Sequence, residues 1–213
     1  MDKFRVLLVD DDLTWAKAMN SFLNKQEDFI VLAIAKNKEE AIKLIQNIEV
    51  DVILMDINLT ENQRDGIIAA LEIQQLSTSR IIMLTSLNDR QIIKDSFTIG
   101  VVDYISKEDY LDIPKAIRKI FNGTSPYQVI SEDYARLKRE ELLKDLTPAE
   151  KEIFSLIELG YTQSQIAKKL IKSQNTVRTQ EKKILKKLGV SSSKEAIKMV
   201  KTNGILQKEE YIK

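Results

Sequence analysis

The sequence predicts an α/β fold, a five-stranded doubly wound parallel sheet followed by a small all-helical domain. Three observations predict it. Five short apolar runs alternate with five stretches whose apolar residues recur at helical spacing. Beyond Asn122 the strand-like runs stop and only short helical patterns follow. The charge changes as well: residues 1–144 carry 19 Lys and Arg against 24 Asp and Glu, a net of −5, whereas residues 145–213 carry 14 against 8, a net of +6. An acidic domain joined to one that meets a polyanion fits that split.

The elements follow in order. Phe4–Asp10 reads as the first buried strand, and Trp15, Met19, Phe22 and Leu23 share one face of a helix from Leu13 to Lys25. Phe29–Ile34 is the second strand, followed by the helical stripe Ala41, Leu44, Ile45 and Ile48. Asp51–Met55 is the third, followed by Ile67, Ile68 and Leu71. Arg80–Thr85 is the fourth, followed by Ile92, Ile93 and Phe97. Val101–Ile105 is the fifth, and Ile113, Ala116, Ile117, Ile120 and Phe121 make the last stripe. Apolar strands of this kind suit a sheet covered on both faces. Asn122 to Pro126 is a stop signal. The expected division is a first domain over 1–123, a linker with some helix over 124–144, and a basic helical domain over 145–213. In the last, Thr147, Pro148 and Glu150 form a capping box, Gly160 and Gly189 end helices, and Ser173 and Ser193 cap two more.

Composition removes several chemistries. The chain has no Cys and no His. Disulfides, thiol catalysis, Cys-ligated zinc and Ser–His mechanisms are excluded, and the chain has no phosphohistidine of its own to offer. No apolar run approaches the roughly 18–20 residues of a membrane span, and the acids after Val9 argue against a signal peptide. A soluble cytoplasmic protein without membrane contact is expected.

The chemistry gathers where the strands end. Asp10 and Asp11 follow the first strand, Asp56 the third, Thr85 the fourth and Lys107 the fifth. In the strand order 2-1-3-4-5 these ends are neighbours, at the edge where open α/β sheets bind ligands. Clustered carboxylates repel, and a hard divalent cation relieves them. Mg²⁺ suits one or two carboxylates plus a substrate phosphate. Asp56 could then attack a phosphoryl group and form an aspartyl phosphate, with Lys107 screening its oxygens and the Thr85 hydroxyl donating to it. Taken singly, each residue has a plainer use; Asp12, for example, is a natural helix cap.

Val9–Asp10–Asp11, Leu54–Met55–Asp56, Leu84–Thr85–Ser86 and Asp103–Tyr104–Ile105–Ser106–Lys107 resemble the receiver domain of two-component response regulators, a flavodoxin-like fold. The resemblance covers about residues 3–122. It implies Mg²⁺ bound by Asp10, Asp11, Asp56 and the backbone carbonyl of Asn58, with Asp56 as phosphoacceptor. It also implies Thr85 and Tyr104 as a switch pair, and Lys107 in contact with the phosphoryl group. A histidine kinase is the implied phosphodonor. Two residues depart from the pattern: Thr60 stands where Pro is usual, and Gly66 falls ten rather than eight residues after Asp56, so the loop Asn58–Asp65 is two residues longer.

From Leu146 to Val190 the chain resembles the LuxR-type helix-turn-helix of the NarL/FixJ family, carried by Leu146–Thr147–Pro148–Ala149–Glu150, Gly160, Ile166–Ala167, Leu170, Ser173, Thr176–Val177–Arg178, Ile184 and Lys187–Leu188–Gly189–Val190. The helix Gln174–Leu188 is then the major-groove reader of double-stranded DNA, with Val177, Ile184 and Leu188 facing its core. By that pattern Arg178, Thr179 and Lys182 approach base edges, while the other lysines, Lys183 and Lys186 among them, contact phosphates. Gln180 stands where His is common, and Glu181 where an apolar residue is usual. The whole reads as a DNA-binding regulator rather than an enzyme, dimeric at least when phosphorylated.

Two other readings compete. One is a receiver-like domain that is never phosphorylated, joined to a DNA-binding domain under other control. The other is a phosphatase. Asp10–Asp11–Asp12–Leu13–Thr14 fits Asp-x-Asp-x-Thr, the nucleophile loop of haloacid-dehalogenase-like enzymes, but this leaves Asp56 without a task.

Overall fold

The computed structural model describes residues 3–60, 65–86, 94–96, 98–123, 126–202 and 204. The chain divides into two units, Met1–Tyr134 and Ala135–Lys213.

The first unit is built on five parallel strands, β1 (Phe4–Val9), β2 (Phe29–Ala35), β3 (Val52–Asp56), β4 (Arg80–Thr85) and β5 (Asp103–Ser106), in the order β2-β1-β3-β4-β5. The strand order reverses between β1 and β3, which opens the ligand crevice at their carboxyl ends. Side chains alternate across the sheet. Val6, Leu8, Leu54, Ile82 and Leu84 join a core with Met19 and Leu23 of α1 (Leu13–Asn24) and Ile113, Ile117 and Ile120 of α4 (Ile113–Asn122). The intervening Leu7, Ile53, Met55, Ile81 and Met83 are buried too. Two further helices are α2 (Lys38–Ile45) and α3 (Asp65–Gln74), and a 3-10 helix over Lys107–Asp112 follows β5. Among the expected fourth-helix residues, Ile92, Ile93 and Phe97 lie outside the described residues, and 94–96 are helical.

The fifth strand begins later than the apolar run suggests. Val101 and Val102 are buried, yet the β4–β5 pairing starts at Ile82 with Asp103. The stretch expected as a linker is largely one helix, α5 (Pro126–Leu142), and the boundary between the two units falls inside it.

The second unit holds α6 (Pro148–Glu158), α7 (Gln163–Lys169), α8 (Gln174–Leu188) and α9 (Ser193–Lys201). Ile153, Phe154, Leu156, Ile166, Ala167, Val177, Ile184, Ala196 and Val200 form their common core. Thr147 and Glu150 close the capping box on α6. Ser173 caps α8, whereas α9 is capped by Ser192, one residue before the serine expected.

Three of these helices show how strictly their ends are specified. α6, α7 and α8 each end in a residue of left-handed backbone: Gly160 and Ile171 stand two residues past the last helical one, Gly189 one past it. In each case the next amide reaches back five residues: Tyr161 to Leu156, Lys172 to Ala167, and Val190 to Leu185. Glycine adopts this conformation freely, but a β-branched residue is strained there. Ile171, at φ 53°, is also 95% exposed, so packing among the described residues does not offset that strain.

Candidate functional site

The turn after β1 delivers Asp10, Asp11 and Asp12 to one place. Asp12 caps α1, its side chain accepting from the amides of Thr14 and Trp15. Asp10 Oδ1 accepts from the Asp12 amide (3.0 Å), which fixes the turn and sends Asp10 inward, where it is 1% exposed. Asp11 stays exposed. Asp56 ends β3, the central strand, and is 5% exposed. Carboxylate oxygens of Asp10, Asp11 and Asp56 lie within 4.8 Å of one another.

Lys107 follows β5 and closes the cluster. Its Nζ lies 2.7 Å from Asp10 Oδ2 and 2.8 Å from Asp56 Oδ2, and 4.9 Å from the centre of the Trp15 ring. Burial pushes the Asp10 carboxyl up to about 6, against the pull of Lys107. Burial raises Asp56 as well. For Lys107 burial acts to lower the pKa, but the two carboxylates outweigh it and the ammonium is held above its ordinary value. Three carboxylates against one ammonium leave two negative charges without a partner in the cluster.

The loop after β3 answers the question raised by its extra length. The Asn58 amide donates to Asp56 Oδ1 (3.3 Å), and the buried Asn58 Oδ1 accepts no hydrogen bond from the described residues. Asp65, at the start of α3, draws the loop together: its side chain accepts from the Leu59 amide (2.9 Å) and from the Thr60 hydroxyl. Gly66 then packs on the strand end. A Cβ there would lie 2.0 Å from the Asp56 carbonyl oxygen and 2.7 Å from that of Ile57. Only glycine fits against this backbone, and its own amide donates to Ile57 O (3.0 Å). The two extra residues therefore leave the glycine docked on the strand end. Residues 61–64 of the loop lie outside the described residues.

Thr85 is buried at the end of β4, and Tyr104 is half-buried in β5. In register, Met83 pairs with Tyr104 and Thr85 with Ser106. Asp10, Asp11, Asp56 and Lys107 thus share one site, and Thr85 and Asn58 come from the adjoining strand ends. The donor set fits a divalent cation: hard oxygen ligands and uncompensated negative charge.

The second unit presents a different surface. Val177 and Ile184 are fully buried on one face of α8. Arg178, Thr179, Lys182, Lys183 and Lys186 are exposed. The Thr179 hydroxyl donates to Asn175 O (2.8 Å), so its oxygen keeps a free acceptor side. Lys187 departs from the expectation of a phosphate contact: its Nζ donates to Glu150 Oε2 (2.6 Å). That carboxylate is already held by the Thr147 amide (2.8 Å), and together Lys187 and Thr147 keep it below the usual carboxylate range. Glu181, which stands where an apolar residue is usual, is paired. It accepts from Gln163 Nε2 (2.6 Å) and from the Ser193 hydroxyl. Among the described residues no helix is long and apolar enough to cross a membrane.

Known proteins share both halves. The model of the response regulator receiver domain matches residues 6–118, and that of the bacterial regulatory proteins of the luxR family matches residues 144–200. The transcriptional regulatory protein YxjL of Bacillus subtilis, described as uncharacterized, is 30% identical, covering 97% of this chain and 99% of its own. The response regulator protein VraR of Staphylococcus epidermidis is 33% identical over 91% and 94%. Among solved structures, the RcsB response regulator of Salmonella typhimurium shares the fold at a TM-score of 0.55, with 22% identity over 95% of this chain and 99% of that one. The chain therefore belongs to the two-component response regulators, as a receiver domain followed by a LuxR-type helix-turn-helix domain.

Proposed function

We propose that the protein is a transcription regulator whose DNA binding is controlled by phosphorylation of Asp56. The observation that carries this is the Lys107 ammonium held between Asp10 and Asp56 at 2.7 and 2.8 Å, at the carboxyl end of the central strand. Asp10, Asp11, Asp56 and the Asn58 carbonyl would hold Mg²⁺, which supplies charge neutralisation for an incoming phosphoryl group. An Asp56 carboxylate oxygen attacks phosphorus in line. The O–P bond forms as the N–P bond to a kinase phosphohistidine breaks, and the imidazole leaves with the bonding pair. Lys107 gives up its contact with one Asp56 oxygen and pairs with the phosphoryl oxygens. The Thr85 hydroxyl donates to one of these oxygens, and Tyr104 moves with it as the second member of the switch.

The added charge shifts an existing balance between two receiver conformations toward the one that forms a homodimer. Two copies then place two α8 helices on two half-sites. Arg178, Thr179 and Lys182 read base edges, and Lys183 and Lys186 contact phosphates. The domain limits proposed are 1–123, 124–144 and 145–213, and the working compartment is the cytoplasm. A solved RcsB from Salmonella enterica serovar Typhimurium is bound to a promoter in the presence of a phosphomimetic.

The test is where phosphate lands. Incubation with a small phosphodonor and Mg²⁺, followed by peptide mapping, should place the label on Asp56 and lose it in Asp56→Ala. Label on Asp10 would mean the phosphatase reading, against which Asp12 is committed to capping α1. No label with any donor, alongside intact DNA binding, would mean a receiver that is not switched this way.

A further inference from the structure

Helix α8 carries one carboxylate, Glu181, among Arg178, Lys182, Lys183, Lys186 and Lys187. On a helix that meets a polyanion, a carboxylate weakens binding unless it does something else. Glu181 lies in line with Val177 and Ile184, where an apolar side chain would extend the core, and it is half-buried. Both of its oxygens are used. One accepts from Gln163 Nε2 at 2.6 Å, the other from the Ser193 hydroxyl. Gln163 is the first residue of α7 and Ser193 the first residue of α9. A single side chain in the middle of α8 therefore ties that helix to the starts of its two neighbours, next to the positive ends of their dipoles.

Apolar packing at Val177 and Ile184 holds α8 against the core but is not directional. Hydrogen bonds are, and turning the helix by one residue, roughly 100°, would break both. Lys182 is the next residue and Arg178 lies three before it, so the direction in which Glu181 is held sets the direction of both. We infer that Glu181 is a positioning residue that fixes the rotation of α8 about its own axis and thereby sets which bases the helix selects. This rests on the DNA reading proposed above.

The experiment compares full-length variants on a duplex selected by the wild type and on duplexes with single base changes, alongside melting curves. Glu181→Leu should stay folded and bind non-specific DNA as well as or better than wild type, since a negative charge is gone. Its preference for the selected duplex should fall by roughly tenfold, the scale of one mis-set base contact. Glu181→Gln keeps an acceptor for Gln163 or Ser193 and should retain most of the preference. The Gln163→Ala, Ser193→Ala double variant should lose about what Glu181→Leu loses, and adding both to Glu181→Leu should change nothing further. If Glu181→Leu fails to fold, the double variant, which removes only a side-chain amide and a hydroxyl, decides alone. Unchanged preference in a folded Glu181→Leu or in the double variant would overturn the inference. So would specific and non-specific binding falling in parallel. A wild type that selects no sequence would instead overturn the DNA reading itself, before any variant is made.

Discussion

The two units use charge in opposite ways. In the first, carboxylates are concentrated at one buried point, where removal from water raises Asp10 and Asp56 against a single ammonium. In the second, cations are spread over an exposed helix face, and two of its acids, Glu150 and Glu181, are spent on ties between helices. A buried cluster concentrates its field on one phosphorus atom and suits a covalent event. A dispersed, solvated face suits a long polyanion and binds it in a salt-dependent way.

The comparison breaks most sharply at Asp56. Asp56→Ala should abolish phosphoryl incorporation completely while leaving the chain folded, because the core on both sides of the sheet is unaffected. Intact-mass measurement after phosphodonor treatment reads this directly. Next is Gly66→Ala. The new Cβ would meet the Asp56 carbonyl at 2.0 Å, and the strand end must move; a loss of about 3 kcal/mol in urea unfolding is expected, the upper end for overpacking. A loss under about 1 kcal/mol would mean that the loop yields without strain. The second unit should respond to salt instead. Lys183→Ala or Lys186→Ala should lower the slope of log K against log salt by about 1 each if each side chain neutralises one phosphate. An unchanged slope removes that lysine from the contact set.

Two smaller effects concern the frame. Glu150 is held below its ordinary pKa by Lys187 and Thr147. A depressed carboxyl stabilises the fold above its unfolded pKa, near 4.3, and the contribution is lost as pH falls through the folded value. Lys187→Ala should therefore raise the pH at which α6 and α8 amides lose hydrogen-exchange protection in acid, without changing it near neutrality by more than the lost pair. Ile171→Gly should raise stability by about 1 kcal/mol, relieving the left-handed strain at an exposed site. Destabilisation there would show that the isoleucine is packed in solution.

The strands, and the meeting of Asp10, Asp11, Asp56 and Lys107 at their ends, were legible because they follow from local pattern once the fold class is given. Apolar runs mark strands, and the reactive residues sit directly after them. The sequence pattern did not show what depends on contacts between distant residues. Gly66 stands at an unfamiliar spacing, and only its approach to the Asp56 and Ile57 carbonyls reveals its task. Glu150 fits a local capping box, which conceals its second bond to Lys187. The partners of Glu181 lie 18 and 12 residues away on other helices. Ser192 and Ser193 are equivalent caps by pattern, and the structure uses the first as the cap and gives the second to Glu181. Ile171 would be assigned to the core by hydropathy, yet it occupies a position shaped for glycine.

The most direct measurement is a DNA-binding titration of wild type and Asp56→Ala, each with and without phosphodonor and Mg²⁺, at one fixed salt concentration. Phosphodonor should tighten binding by the wild type and leave Asp56→Ala at the untreated level. Equal tightening of both proteins, or none in a wild type shown to be labelled at Asp56, would contradict the coupling of the buried site to the DNA-reading helix.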